Sequence, residues 1–587
     1  MDRLRNLLDF ATHTEHESTA PASNSSAPQS LITEAADEAG EAAATGFTMI
    51  EQAQSARPQD PSDAKAVRLL WCDTAGIRRC RVVPGRRYGG LQACGLGITT
   101  ACMAMPAYGD VPAPNAGVTA VGEARMKPVE TTRVALPWCP GHQIALVDFE
   151  APRSDTPWDC CPRRALINTC DMLRDNFGLS VKVGFEVEFL LLERCPAGEG
   201  DAGLLASGWR PVDCALYCQS SAMDRQAGVL ESMVESLEAM GIPVVQWHKE
   251  SAPGQYEIAL VYGDPVESAD KLLLAKEALV GVAASRGLAV SFLPKPSPDA
   301  AGNGLHVHLS LWRDGQCVMH DPHGGAFRGT AGNHPQLEAA AAAVVAAAAA
   351  AEPDPPLATQ SNPGGVRLPS LRRTTNTTPP NSDNNNNPKT KKPEHHPSKP
   401  ATPSLEMLSF LAGVLSYMEV LLPFTAPSPN SYARLRPGAW AGAHAAWGYN
   451  NREVPLRLTA PGPTRLDRMH LEYKAMDGTA NPHLALAAIL VAGMLGLFAQ
   501  LLPPEPCQVP PADLDREAAT RLGVRCLPTS LRAALDALQN TLAGETFRGA
   551  MAEAISQRLL TAFLAVREAE ARQAPEDAPR DMLLRYS

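Results

Sequence analysis

Two stretches constrain the fold of this chain more than any others. KVGFEVEFLLLE (182–193) sets Glu186 and Glu188 two residues apart inside an apolar run, and GLHVHLSLW (304–312) does the same with His306 and His308. A strand repeats every two residues, so each pair projects from one face while Phe185, Val187 and Phe189 point to the other. Neither pair is decisive alone. Paired carboxylates on a strand read as a solvated face or a cation site; H-x-H reads as two satisfied histidines or as a metal or nucleotide site.

More carboxylates follow. HKESAPGQYEI (248–258) carries Glu250 and Glu257 across a Pro-Gly turn, and MHLEYKAMDGTANPHLALA (469–487) carries Glu472 and Lys474 on one strand face. Oxygen-rich sites with an occasional imidazole suit Mg²⁺ or Mn²⁺ rather than zinc. Two such ions can neutralise nucleotide phosphates and polarise a transferring phosphoryl group. NSYARLRPGAW (430–440) supplies Arg434, and NNREVPLRL (450–458) supplies Arg452 and Arg457. Each arginine alone reads as a surface ion pair. With the acidic cluster, their planar guanidiniums suggest a reaction between two anions, a carboxylate and a polyphosphate.

The 587 residues suffice for about two to four domains. A net charge of −11 without a dense basic patch argues against nucleic acid as a partner. The longest apolar stretch, 484–502, is rich in Ala and Gly and follows a polar motif; it reads as a buried core helix, not a membrane span. The cysteines include the vicinal pair Cys160-Cys161 and no C-x-x-C, which fits neither a disulfide framework nor a zinc ribbon. The start, MDRLRNLLDFATHTEHE, has no secretory apolar core, so a reducing cytoplasmic setting is expected.

Along the chain, 1–64 reads as a disordered extension with a short helix at Asp2–Ala11. Strands around a turn at Asp73–Gly76 open a small mixed domain, 65–155. A larger unit, 156–587, mixes helices (162–178, 225–241, 264–286) with strands and no regular βαβ repeat, so the expectation is α+β with an antiparallel sheet. It is interrupted at about 335–403 by an alanine run (339–351) and a low-complexity Asn/Pro/Thr/Lys segment, read as a surface insertion. Residues 529–570 read as amphipathic helix.

The order of motifs resembles the glutamine synthetases, in particular the type I-related branch with nodulin-like and fungal developmental members. It runs E-x-E, two glutamates around a Pro-Gly-Gln turn, H-x-H-x-S, NSY-x-R-L, N-R-(x)4-R, then E-x-K-x-x-D-x-x-ANP. The resemblance covers roughly 67–325 and 404–587. It implies a small β-grasp domain plus a catalytic domain whose curved antiparallel sheet is flanked by helices. It implies an ATP-dependent ligase that makes γ-glutamyl phosphate from glutamate and lets ammonia or a small amine displace the phosphate. By position, Glu188, Glu250 and Glu257 would hold one Mg²⁺ or Mn²⁺ and Glu186, His306 and Glu472 a second. His308 and Ser310 would lie near the nucleotide. Arg434 and Gly302 would bind glutamate, and Arg452, Arg457 and Lys474 would stabilise the transferring phosphoryl group. A ring oligomer with sites between subunits also follows from the resemblance.

The chain departs from the family where ammonia is handled. After R-L-x-P-G, ammonia-using members carry a flap glutamate that shields the intermediate; here the position is Trp440. An Asp-Gly-Ser-Ser ammonium loop is replaced by GLGITTACM (95–103), without a carboxylate. Lys474 stands where the family has arginine. Trp440 is apolar and able to stack on cations, which points to an organic amine as acceptor. Two other readings compete: a catalytically weak regulatory or assembly member of the family, and an unrelated metal hydrolase built on His-x-His, which would need further His or Asp ligands after the pair, where His320, His323 and His334 lie in loop-like sequence.

Overall fold

The computed structural model describes residues 60–151, 154, 156–195, 208–320, 403–459 and 468–572. The expectations for Asp2–Ala11, for the alanine run, for the low-complexity segment and for His323 and His334 lie outside these residues.

The fold is α+β, built on two sheets. The smaller contains β1 (Ala66–Cys72), β2 (Arg78–Pro84), β3 (Leu96–Thr99), β4 (Glu123–Pro128), β5 (Val134–Ala135) and β6 (His142–Glu150), with helix α1 (Gly85–Cys94). Its path is β2-β1-β6-β4-β3, with β5 against β6. The β1–β2 hairpin turns where the sequence indicates. Asp73 accepts from the N–H groups of Ala75 (2.9 Å) and Ile77 (3.0 Å), an Asx-type turn. Gly76 at its tip has φ +82°, and a Cβ there would stand 1.9 Å from the Thr479 carbonyl oxygen, so only glycine lets the hairpin reach the second layer.

The larger sheet takes β7 (Ser180–Arg194), β8 (Trp209–Pro211), β9 (Val244–Lys249), β10 (Gln255–Leu260), β11 (Ala289–Ser291), β12 (Leu305–Arg313) and β13 (Gln316–Cys317). After the short β14 (His444–Ala445) come β15 (Trp447–Tyr449), β16 (Leu456–Thr459) and β17 (His470–Tyr473); β14 pairs apart with β18 (Arg525–Cys526). The path is β15-β16-β17-β12-β7-β10-β9, antiparallel except for the parallel β15–β16 pair. As expected from the alternation, Phe185, Val187 and Phe189 are buried, as are Leu305, Val307, Leu309 and Leu311.

Helices cover the apolar face. α2 (Pro162–Phe177) starts with Pro at its first turn and stops at Gly178, φ +61°, as the sequence predicts. α3 (Ser220–Ala239) begins five residues before the predicted start, and α4 (Pro265–Ser285) matches its prediction. α5 (Leu405–Ser416), α6 (Met418–Thr425) and the short α7 (Ser431–Arg434) resume after the insertion. α8 (Pro482–Phe498) is apolar on every side and buried, which accounts for the long apolar run. No single helix among the described residues is long and apolar enough to cross a membrane. The Asn481 side chain caps α8 by accepting from His483 and Leu484 N–H, and donates to the carbonyls of Cys72 and Asp73. One residue thus starts the core helix and docks the small sheet.

The C-terminal reading needs correction. After α9 (Arg516–Arg521), the expected single helix is three: α10 (Leu531–Asn540), α11 (Leu542–Ile555) and α12 (Gln557–Ala571). Thr541 caps α11 and Ser556, at φ +82°, caps α12. Apolar periodicity runs across both joints, so the sequence shows continuity where hydroxyl caps restart the helix.

The insertion leaves and re-enters at one point. His320 and Pro403 form an antiparallel bridge, and Ser404 donates to the carbonyls of Met319 (3.1 Å) and Val318 (2.5 Å). Loop entropy grows only slowly with length, about 0.6 kcal/mol per doubling. Replacing 321–402 by a short Gly/Ser linker is expected to leave the melting midpoint unchanged or slightly raised; a drop of more than about 5 °C, of order 5 kcal/mol in a chain this size, would mean that the excised residues pack on the core.

Candidate metal centre

Strand register builds the site. His306 stands opposite Glu186, His308 opposite Glu472, and Glu472 opposite Arg457; on the other side Glu188 stands opposite Glu257, and Glu257 opposite His248. Directly opposed residues share a face. Six strands therefore deliver these side chains to the face opposite the apolar one, and Glu250 joins them from the turn after β9.

The expected second-metal set is together. His306 Nδ1 lies 3.1 Å from Glu186 Oε2 and 3.5 Å from Glu472 Oε1, and one donor atom from each of the three lies within 4.8 Å of the others. The expected first-metal set arrives as two overlapping groups: Glu188, Glu257 and His306, and then His248, Glu250 and Glu257. His306 Nε2 is 3.5 Å from Glu188 Oε1, so one imidazole faces both halves. His248 was missed by the sequence reading. Its Nε2 sits 3.1 Å from Glu250 Oε1 and its Nδ1 3.8 Å from Glu257 Oε1. The sequence carries the signal, since His248 and Glu250 have the same two-residue spacing as Glu186/Glu188 and His306/His308.

Other contacts fix the donors. Glu188 Oε2 accepts from Gly304 N–H (2.8 Å) and from the Gln255 side-chain amide (3.0 Å), which also donates to the Gly302 carbonyl (2.9 Å). A Cβ on Gly302 would stand 2.4 Å from the Pro294 oxygen and 2.7 Å from Arg434 Cγ, so Gly302 and Arg434 are packed together. The Arg434 guanidinium is buried and donates to the carbonyls of Lys474, Ala475 and Met476, leaving Nε without a protein partner. Arg457 is ion-paired with Glu472. Arg452 is exposed.

Lys474 differs from the strand-face expectation. It lies just past the end of β17, and its amino group donates to the carbonyls of Arg452 (2.7 Å) and Trp440 (2.5 Å). It ties down two loops with donors that the expectation assigned to phosphate. Trp440 is exposed at φ +52°, an uncommon backbone for an aromatic residue. His308 Nε2 is 3.2 Å from Glu186 Oε1 and its ring packs 5.0 Å from that of His470, while the Ser310 hydroxyl accepts from Trp312 Nε1 (2.9 Å). Tyr217, exposed, meets the His248 ring edge-on at 5.7 Å. His320, which follows the histidine pair, is bridged to Pro403 at the base of the insertion and belongs to none of the donor groups found among the described residues.

The electrostatics reflect carboxylates crowded on a buried face. Burial and the neighbouring charges of Glu186, Glu188, Glu250 and Glu472 push the Glu257 carboxyl up to about 10. Burial likewise raises Glu188. Burial acts in the same sense on Glu186, but hydrogen bonds to His306 and His308 outweigh it and hold that carboxyl below its usual range. Ligands around one Mg²⁺ or Mn²⁺ at about 2.1 Å stand about 3–4 Å apart. The observed donor spacing and the oxygen-rich set fit such an ion.

A family model described as glutamine synthetase, catalytic domain, matches residues 159–334 and 389–586. The gamma-glutamylpolyamine synthetase of Streptomyces coelicolor is 29% identical over 504 residues, covering 86% of this chain and 89% of its own. The type-1 glutamine synthetase 1 of Dictyostelium discoideum is 25% identical over 558 residues, 92% of each chain. The crystal structure of a novel glutamine synthase homolog superposes with a TM-score of 0.63 at 25% identity, over 89% of this chain and 97% of that one.

The raised Glu257 carboxyl ties metal-free stability to pH. In the unfolded chain it ionises near pH 4.3, whereas the metal-free fold keeps it protonated to about 10. Metal-free stability should therefore fall as pH rises from about 4.3 toward 10. Glu257→Gln is expected to flatten that slope and to raise the metal-free melting midpoint at pH 8, while weakening Mn²⁺ binding at least tenfold. Thermal melts across pH with and without Mn²⁺ read both effects.

Proposed function

The chain belongs to the glutamine synthetase family, and we propose that it is an ATP-dependent ligase joining the γ-carboxyl of glutamate to a small organic amine. The single observation that carries this reading is the row of donors, Glu186, Glu188, Glu250, Glu257, His306 and Glu472, converging on one sheet face in the order the family motifs require. Fold by itself assigns no activity, so the reading rests on that site.

In this proposal the two donor sets hold divalent ions, Mg²⁺ or Mn²⁺, which supply charge neutralisation for the ATP phosphates. His308 and Ser310 line the nucleotide side. Arg452 and Arg457 face the transferring phosphoryl group, with Arg457 oriented by Glu472. Arg434 and Gly302 shape the glutamate pocket; Arg434 acts mainly by holding the chain after β17, with Nε left for the substrate. The γ-carboxylate oxygen attacks the γ-phosphorus and ADP leaves. The amine nitrogen then attacks the acyl carbon and phosphate leaves.

The acceptor is argued from the loops. With Trp440 on the flap and no carboxylate in 95–103, two anionic contacts suited to NH₄⁺ are missing. An exposed indole instead offers a face to an alkyl-ammonium chain. The similarity to a gamma-glutamylpolyamine synthetase supports a polyamine as the amine to test first. The same proposal includes a ring oligomer, in which the small sheet completes a neighbouring site.

Phosphate release from ATP, with Mg²⁺ or Mn²⁺, glutamate and a panel of ammonia, monoamines and polyamines, tests the proposal. The expected result is release that needs glutamate and an amine and falls at least 100-fold in Glu186→Ala and Glu472→Ala. Trp440→Glu is expected to shift preference toward ammonia by about tenfold or more, roughly 1.4 kcal/mol of transition-state binding. Release with ammonia alone would overturn the acceptor assignment. A folded, nucleotide-binding protein inert with every amine would instead place the chain among non-catalytic members of the family.

A further inference from the structure

Within HKE, His248 and Glu250 turn toward the cluster and Lys249 turns away from it. The Lys249 side chain is fully buried, and its amino group donates to the carbonyls of Glu250 (2.5 Å) and Ala252 (2.6 Å). Asp213 Oδ1 stands 3.8 Å away, and the Tyr256 ring lies beneath, 5.6 Å to its centroid. Asp213 is itself held, accepting from the Tyr256 hydroxyl (2.5 Å) and from Ala215 N–H (3.0 Å). The Lys249 carbonyl accepts from Cys218 N–H (3.0 Å). One buried lysine therefore joins two segments: the turn 250–254, which aims Glu250, and the loop 212–219, which carries Tyr217.

The turn has a second connection to the donors. Ala252 N–H donates to Gln255 Oε1 (2.8 Å), and the same side-chain amide donates to Glu188 Oε2 (3.0 Å). Any displacement of the turn moves Glu250 and loosens Glu188 together. Without the lysine amino group, the Glu250 carbonyl loses its side-chain donor and the Ala252 carbonyl keeps only the Gln255 N–H (3.0 Å), so the turn loses the contact that spans it and would shift.

We propose that Lys249, backed by Asp213, is a positioning residue: it fixes the turn that aims Glu250 at the metal cluster and sets the spacing between that cluster and the Tyr217 loop. The proposal rests on the reading of the donor row as a metal site. Groups that orient metal ligands from outside change affinity about 10–100-fold when removed, which sets the expected size.

The test uses the full chain and Mn²⁺ as the probe, with binding followed by electron paramagnetic resonance and hydrogen exchange followed by mass spectrometry over peptides spanning 250–260. Lys249→Met is expected to weaken one class of Mn²⁺ site 10–100-fold, to spare the class built on Glu186, His306 and Glu472, and to speed exchange at 250–257. Asp213→Asn should do the same to a smaller degree, and it carries both readouts if Lys249→Met does not fold. Lys276→Met is the control for general destabilisation. Lys276 is also buried and donates to the Gly478 carbonyl (2.6 Å), away from Glu250. It should lower the melting midpoint without changing Mn²⁺ affinity. Wild-type binding and exchange in Lys249→Met, or an equal loss of Mn²⁺ in Lys276→Met, would overturn the proposal. Wild-type protein that binds no Mn²⁺ would overturn the metal reading instead, and exchange at 250–257 alone would then decide whether Lys249 holds the turn.

Discussion

Mutual repulsion among five carboxylates on one sheet face is the constraint the rest of the structure answers. Two unit charges about 4 Å apart at an effective dielectric near 20 repel by about 4 kcal/mol. Several such pairs would exceed the whole stability of an ordinary domain, about 5–15 kcal/mol. The protein limits the repulsion in three ways. His306 is placed between Glu186, Glu188 and Glu472. Arg457 is paired to Glu472. Glu257, the most crowded, is held neutral. A divalent cation within reach of the same donor atoms would offset the same repulsion.

Such a site needs a scaffold that does not yield. The opposite face of the sheet is apolar and covered by α2 and α4, and α8 packs against those helices, buried all round. Around the edges, polar groups tie loops to that scaffold. Arg163 bridges Asp148 of the small sheet and Asp270 of α4, and His483 at the start of α8 meets the same Asp270. Arg567 on α12 donates to the carbonyls of Thr74 and Pro427. The small sheet is thereby tied to α4, to α12 and, through Arg567, to the loop after α6, while Lys474 holds the Trp440 loop.

Much of this was legible. Two-residue spacing in KVGFEVEF and HVHLSLW placed Glu186, Glu188, His306 and His308 on strand faces, and the β1–β2 hairpin and α2 with its glycine stop were readable from turn and cap chemistry. The three C-terminal helices were not, because hydroxyl caps at Thr541 and Ser556 are silent against a continuous apolar period. His248 escaped because a histidine beside a lysine on a polar strand looks solvated until β10 is laid alongside it.

The sequence by itself determined which residue types alternate on each strand, and so which face of the sheet would be polar, since side-chain direction follows from local backbone geometry. Only the tertiary structure decided which of those polar side chains meet. Register across β16, β17, β12, β7, β10 and β9 brings Arg457, Glu472, His306, Glu186, Glu188, Glu257 and His248 together from positions up to hundreds of residues apart. It also turned the donors of Arg434 and Lys474 inward onto carbonyls. Whether a cation faces a substrate or a chain end depends on what packs beside it, and local sequence does not encode that.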